Sequence, residues 1–138
     1  MKNSVNVTFP AIAENASLAR LVVMGMLAPL DLDAQQMTEI KTVVSEGVTN
    51  AIVHGYDGNP HGIIDFKVAL EGRKLRVVIK DMGIGIVDIE QAKQPLYTTK
   101  KEEERSGLGF MIMESFTDQL EITSSPGVGT TVVLEREL

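Results

Sequence analysis

Glu46, Asn50 and His54 stand four residues apart in a stretch that is otherwise mostly small or apolar. On a helix that spacing lays their side chains along one stripe. A carboxylate in such a place can accept a proton from a hydroxyl or a water. An amide one turn later offers its carbonyl oxygen to magnesium, a hard ion that prefers oxygen ligands. His54, close to the helix end, also suits a simple cation facing the last carbonyls. A solvated Glu and Asn would give the same spacing, so the stripe alone specifies nothing. A second acid, Asp81, opens Asp81-Met82-Gly83-Ile84-Gly85 directly after the strand-like Leu75–Lys80. At a strand end its carboxylate can accept a hydrogen bond from an exocyclic amine such as that of adenine. Gly83 and Gly85 let backbone approach a flat base without a side chain in the way. A plain turn is the rival reading. In Arg105-Ser106-Gly107-Leu108-Gly109-Phe110, a glycine-rich helix start would present free amides to phosphate. Lys100 and Arg105 lie in the adjoining loop, where they can meet terminal phosphates. The last motif, Gly127-Val128-Gly129-Thr130-Thr131, is by itself a hairpin turn, with the Thr130 hydroxyl in reach of a base held by Asp81.

These motifs need elements to carry them. Val5–Phe9 alternates apolar and polar, which predicts a half-buried strand ended by Pro10. Residues 14–28 read as a helix whose middle is apolar except for Arg20, so it needs cover on more than one side. Arg20, Met24 and Met26 therefore mark a partner or dimer interface. A second helix runs from about 33 to 56, with Asp31 or Asp33 to cap it and Gly55 near its end. Strands over 62–70 and 74–81 flank Glu71-Gly72-Arg73-Lys74, a hairpin signal. Residues 86–106 hold Pro95 and a charged run, and a loop of that length in a compact domain is usually functional or disordered. A helix over 107–116 and strands over 118–124 and 129–136 complete the chain. The order β-α-α-β-β-loop-α-β-β predicts an α/β (α+β) two-layer sandwich. Its helices cover one face of a mixed, mostly antiparallel sheet in one domain spanning 1–138. It is neither a Rossmann nor a P-loop order, and no Gly-x-x-x-x-Gly-Lys occurs.

Composition narrows the classes further. With no cysteine, disulfides and thiolate metal sites are excluded. A net charge of −6, with four Phe, two Tyr and no Trp, argues against direct nucleic-acid binding, which uses basic surfaces and stacking aromatics. No apolar run reaches the ~20 residues of a membrane span, and the start carries no apolar signal core, so the expected location is cytoplasmic.

In this order and on these elements, the four motifs together resemble the GHKL superfamily of ATPases and kinases, the Bergerat ATP-binding fold. The resemblance covers nearly the whole chain. It implies an N box at Glu46 and Asn50, a G1 box at Asp81–Gly85, a G2 box at Gly107–Gly109 and a final Gly129-Thr130. It also implies an ATP lid over about 86–106, and Pro95-Leu96-Tyr97-Thr98-Thr99-Lys100 resembles the lid entry of histidine kinases. Within the superfamily, Phe9-Pro10-Ala11, the run Asn50–Tyr56 and the run Lys80–Ile86 look most like anti-sigma-factor serine kinases. That resemblance implies ATP and Mg2+ as cofactors, with Glu46 as catalytic base and Asn50 as magnesium ligand. ATP would be bound by Asn50, Asp81, Gly83, Gly85, Lys100, Arg105, Ser106, Gly107, Leu108, Gly109 and Thr130. It further implies a homodimer that holds a sporulation sigma factor and phosphorylates a serine of its anti-anti-sigma antagonist. Two other functions stay open. One is a histidine-kinase-type catalytic domain, whose acceptor would lie on another chain because the only histidines are His54 and His61. The other is a non-catalytic module that uses ATP as a conformational ligand.

Overall fold

The computed structural model describes residues 2–83 and 105–138. The elements are β1 (Lys2–Pro10), α1 (Asn15–Leu27), α2 (Ala34–Asn50) with a π-helical turn over Ala51–Gly55, β2 (Ile63–Glu71), β3 (Lys74–Asp81), α3 (Arg105–Ser115), β4 (Gln119–Ser125) and β5 (Gly129–Glu137). The five strands form one sheet in the order β1-β2-β3-β5-β4. All four pairings are antiparallel, where the sequence suggested a mixed sheet. Two pairings are hairpins, and the helical excursions bring β1 and β5 beside their neighbours in the same sense.

Alternation sorts the faces. Ile64, Phe66, Val68 and Leu70 of β2 and Leu75, Val77 and Ile79 of β3 are buried, while Lys67, Arg76 and Lys80 between them are exposed. One face therefore packs and the other meets water, as antiparallel sheets permit. Val23 of α1, Val44 and Val48 of α2 and Met113 of α3 close over the packed face. β1 extends three residues earlier than its alternation indicates. Lys2–Ser4 are exposed and give no periodic signal, but their backbone pairs with Ala69–Glu71.

The start of α2 is a capping box. The Gln36 amide donates to Asp33 Oδ1 at 2.7 Å and the Asp33 amide to Gln36 Oε1 at 3.3 Å, which settles the cap on Asp33 rather than Asp31. Gly47 lets α2 lie flat on the sheet, since a methyl there would sit 2.3 Å from Ile79 Cδ1. On α1, Ala16, Ala19, Val23 and Leu27 form the buried stripe. Met24 and Met26 are half-buried against the core, and the apolar side chains facing outward are Leu18 and Leu21, 42% and 69% exposed. No helix among the described residues is long and apolar enough to cross a membrane.

Candidate functional site

β3 ends at Asp81, which lies opposite Thr130 of β5 and is only 5% exposed. Alternation assigns position 81 to the packed face, so the sheet itself pulls this carboxylate inward. Its Oδ1 accepts the Gly83 amide at 2.9 Å, and the Thr130 backbone amide also serves the carboxylate. Burial pushes the Asp81 carboxyl above the ordinary carboxylate range, and the two amides pull in the other direction. Three glycines make the crowding tolerable. A methyl at Gly55 would come 2.7 Å from Asp81 Cγ, one at Gly83 would strike the Gly55 carbonyl, and one at Gly129 would lie 2.3 Å from the Asp81 carbonyl. Gly129 also has φ +143, a conformation side chains rarely adopt. The result is a fixed acceptor among bare backbone, suited to a flat ligand with one amine. The buried Thr130 hydroxyl shares a 2.8 Å hydrogen bond with Ser124 Oγ on the facing strand.

Glu46 sits half-buried on α2, with α3 laid against it: a methyl on Gly109 would come 2.8 Å from Glu46 Oε2. The fold thus joins two motifs 63 residues apart in sequence, the acid of the second helix and the glycine-rich helix start. Asn50, half-buried, ends α2 one turn beyond Glu46. The stripe does not continue to His54. From Ala51 the helix widens to a π turn, closed by the Tyr56 amide on the Ala51 carbonyl at 3.0 Å, and i+5 bonding breaks the fourfold register. Arg20 donates to Ser45 Oγ at 2.7 Å and Ser17 Oγ at 2.8 Å. With Thr38, Lys41, Thr42, Ser45 and Glu46 it lines one open groove.

Gly85, Lys100 and the lid over 86–104 lie outside the described residues. Arg105, Ser106, Gly107 and Leu108 form the first turn of α3, which begins two residues before the expected start and takes in the end of the expected lid. The sequence reading missed Gly55, Tyr56 and Ser124. From the sequence Gly55 reads as a helix stop; its role is a close approach to Asp81 that only the packed structure reveals. Ser124 shows itself only through its register with Thr130.

Residues 9–136 match the family model described as histidine kinase-like ATPase domain. Over all 138 residues the chain is 51% identical to the anti-sigma F factor of Bacillus cytotoxicus, covering 94% of that protein. It is 50% identical to the anti-sigma F factor of Halalkalibacterium halodurans over the same share. Among solved structures, the RsbU and RsbW domains of a Mycobacterium tuberculosis protein superpose with a TM-score of 0.68 at 23% identity, covering 99% of this chain and 32% of that one. The catalytic domain of histidine kinase ThkA superposes with a TM-score of 0.61 at 19% identity, over 96% and 95% of the two chains.

Proposed function

The chain belongs to the histidine kinase-like ATPase domain family, and from that premise we propose that it is an anti-sigma factor and ATP-dependent protein serine kinase. Its anti-sigma F relatives, about half identical over the full chain, support the binding role. The partner would be a sporulation sigma factor, and the kinase substrate a serine of its anti-anti-sigma antagonist. The work would be cytoplasmic and the protein a homodimer joined through α1, whose Leu18 and Leu21 face outward.

The observation that carries the kinase reading is the Glu46 carboxylate lying against the backbone of Gly109. Gly109 lies one turn inside α3, whose free first-turn amides would bind phosphate, and a carboxylate one turn away is where a hydroxyl would lose its proton. Asp81 would accept the adenine amine and fix the nucleotide's orientation, with Thr130 and Ser124 behind the base. The free first-turn amides of α3, as far as Gly107, would hold the phosphates, and the absence of a side chain at Gly109 keeps the approach to Glu46 open. Asn50 fits magnesium by its chemistry, since an amide oxygen is hard and magnesium in such sites takes one or two protein oxygens beside the phosphates. The ion would neutralise charge on the transferring group. The serine Oγ would attack the terminal phosphorus, the bond to the bridging oxygen would break, ADP would leave, and Glu46 would take the hydroxyl proton. Positioning and charge neutralisation supply most of such a reaction.

Incubation with terminally labelled ATP and an anti-anti-sigma partner tests this reading. The wild type should place acid-stable phosphate on a serine, and Glu46→Gln should lose the transfer by ~10²–10⁴-fold. Acid-labile label on histidine would favour the histidine-kinase alternative. No transfer by the wild type would leave a binding module.

A further inference from the structure

The register that sets Asp65 opposite Lys80 would, carried two residues on, set Ile63 opposite Met82. The ladder stops before that point. β2 stays with β1, where Ile63 faces Pro10, while β3 goes on with β5, where Asp81 faces Thr130. The Tyr56 hydroxyl fills the gap between the parting strands. It accepts the Met82 amide at 2.8 Å and donates to the Ile63 carbonyl, the two groups that a continuing ladder would have available. A phenol has one proton to give, so this one is committed. The ring is equally fixed. A methyl at Gly62 would come 2.4 Å from it, and Gly62 is tied by its amide to the Asn59 carbonyl and by its carbonyl to the Ala11 amide.

The same short segment grips the neighbours of Met82. Gly55 packs on the Asp81 carboxylate, and its carbonyl packs on Gly83. The π turn is what brings Gly55 and Tyr56 to this position, because its extra residue advances them past where an α-helix would end. Hence a side chain from the end of the second helix sets how far the last residues of β3 stand off β2. Asp81 rides on those residues.

We propose that Tyr56 is a positioning residue for nucleotide-base selection: its hydroxyl, wedged between β2 and β3, aims the Asp81 carboxylate at the exocyclic amine of adenine. This rests on the reading of Asp81 as the adenine acceptor. Tyr56 touches neither base nor phosphate in this account. Its loss should therefore change which base is preferred and leave the transfer step intact.

The test compares ATP with inosine triphosphate, which carries the same phosphates and lacks the amine. Calorimetry on wild type, Tyr56→Phe, Asp81→Asn and the double variant gives the affinities, and thermal melting confirms folding. Tyr56→Phe should bind ATP about tenfold more weakly, the size of one lost hydrogen bond between Asp81 and the base. It should keep its inosine triphosphate affinity and its transfer rate at saturating ATP within about twofold, a split that marks lost binding rather than lost chemistry. The double variant should bind ATP no more weakly than Asp81→Asn alone. An unchanged ATP preference in Tyr56→Phe, while Asp81→Asn loses it, would overturn the proposal and leave the Asp81 assignment standing. An equal fall for both nucleotides would also overturn it, since that is what a purely structural tyrosine gives. A wild type that does not distinguish the two nucleotides would remove the Asp81 assignment and this proposal with it.

Discussion

Keeping a carboxylate as buried as that of Asp81 ionised at neutral pH works against the fold. Because burial raises its folded pKa above the unfolded value, its favourable contribution to stability is present at low pH. That contribution is lost as pH rises through the folded value. Two outcomes follow for one residue. Asp81→Asn should melt no lower than wild type at pH 7, since the amide oxygen can still accept the Gly83 amide and no charge is buried. Any advantage should shrink as pH falls through the raised folded value and be gone below the ordinary carboxylate range. The same variant should lose ATP affinity, because an amide nitrogen would face the adenine amine, donor against donor. Stability kept with function lost is the usual mark of a site held under strain for its task. In the wild type, ATP affinity should fall as acid protonates Asp81, starting at higher pH than an ordinary aspartate would allow. Calorimetry across pH checks it, and a flat profile down to the ordinary range would contradict it. That Asp81 was worth attention is visible in the sequence, from its place at a strand end before paired glycines. Its burial depends on Gly55 and Gly129, residues 26 and 48 positions away, and no local pattern reports that.

At the scale of elements, α2 carries both Glu46 and Asn50, so its seating on the sheet sets the geometry of the site. Gly47→Ala would drive a methyl into Ile79, next to Glu46 in the chain and three residues before Asn50. Overpacking of this kind typically costs ~1–3 kcal/mol, so denaturant unfolding should show that loss and transfer activity should fall with it. Asp33→Ala removes the capping box at the far end of the helix and should cost ~1 kcal/mol while leaving ATP affinity unchanged. If both variants altered affinity equally, helix stability rather than helix seating would control the site. The helices and both hairpins were legible because 3.6- and 2-residue periods and Gly-containing turns are local signals. The π turn was not. An i+4 spacing from Asn50 to His54 looks like continuing α-helix, and the widening is favoured only by what packs around it: Gly55 on Asp81, and Tyr56 between β2 and β3. The antiparallel sense of β1 and β5 was likewise hidden, since it depends on how whole connections cross the sheet.

At the scale of the molecule, α1 buries one stripe and leaves Leu18 and Leu21 outward, on the helix that also carries Arg20 into the groove beside Glu46. Leu21→Glu should yield monomers in sedimentation at micromolar concentration with the melting temperature little changed, since a side chain 69% exposed contributes little to its own core. A dimer that survives the change would place the interface elsewhere. The sequence pointed to α1 but to Met24 and Met26, because an apolar run does not say which of its members face inward. On the proposed function the two carboxylates have separate tasks: Asp81, enclosed at a strand end, would bind the nucleotide, and Glu46, beside the first turns of α3, would take the proton. Calorimetric ATP binding by Glu46→Gln beside Asp81→Asn tests that division most directly. Wild-type affinity is expected in the first, and in the second an ATP affinity ~10–10²-fold weaker with no preference over inosine triphosphate, both proteins being folded. Wild-type ATP affinity in Asp81→Asn, or ATP binding lost by Glu46→Gln, would contradict that division.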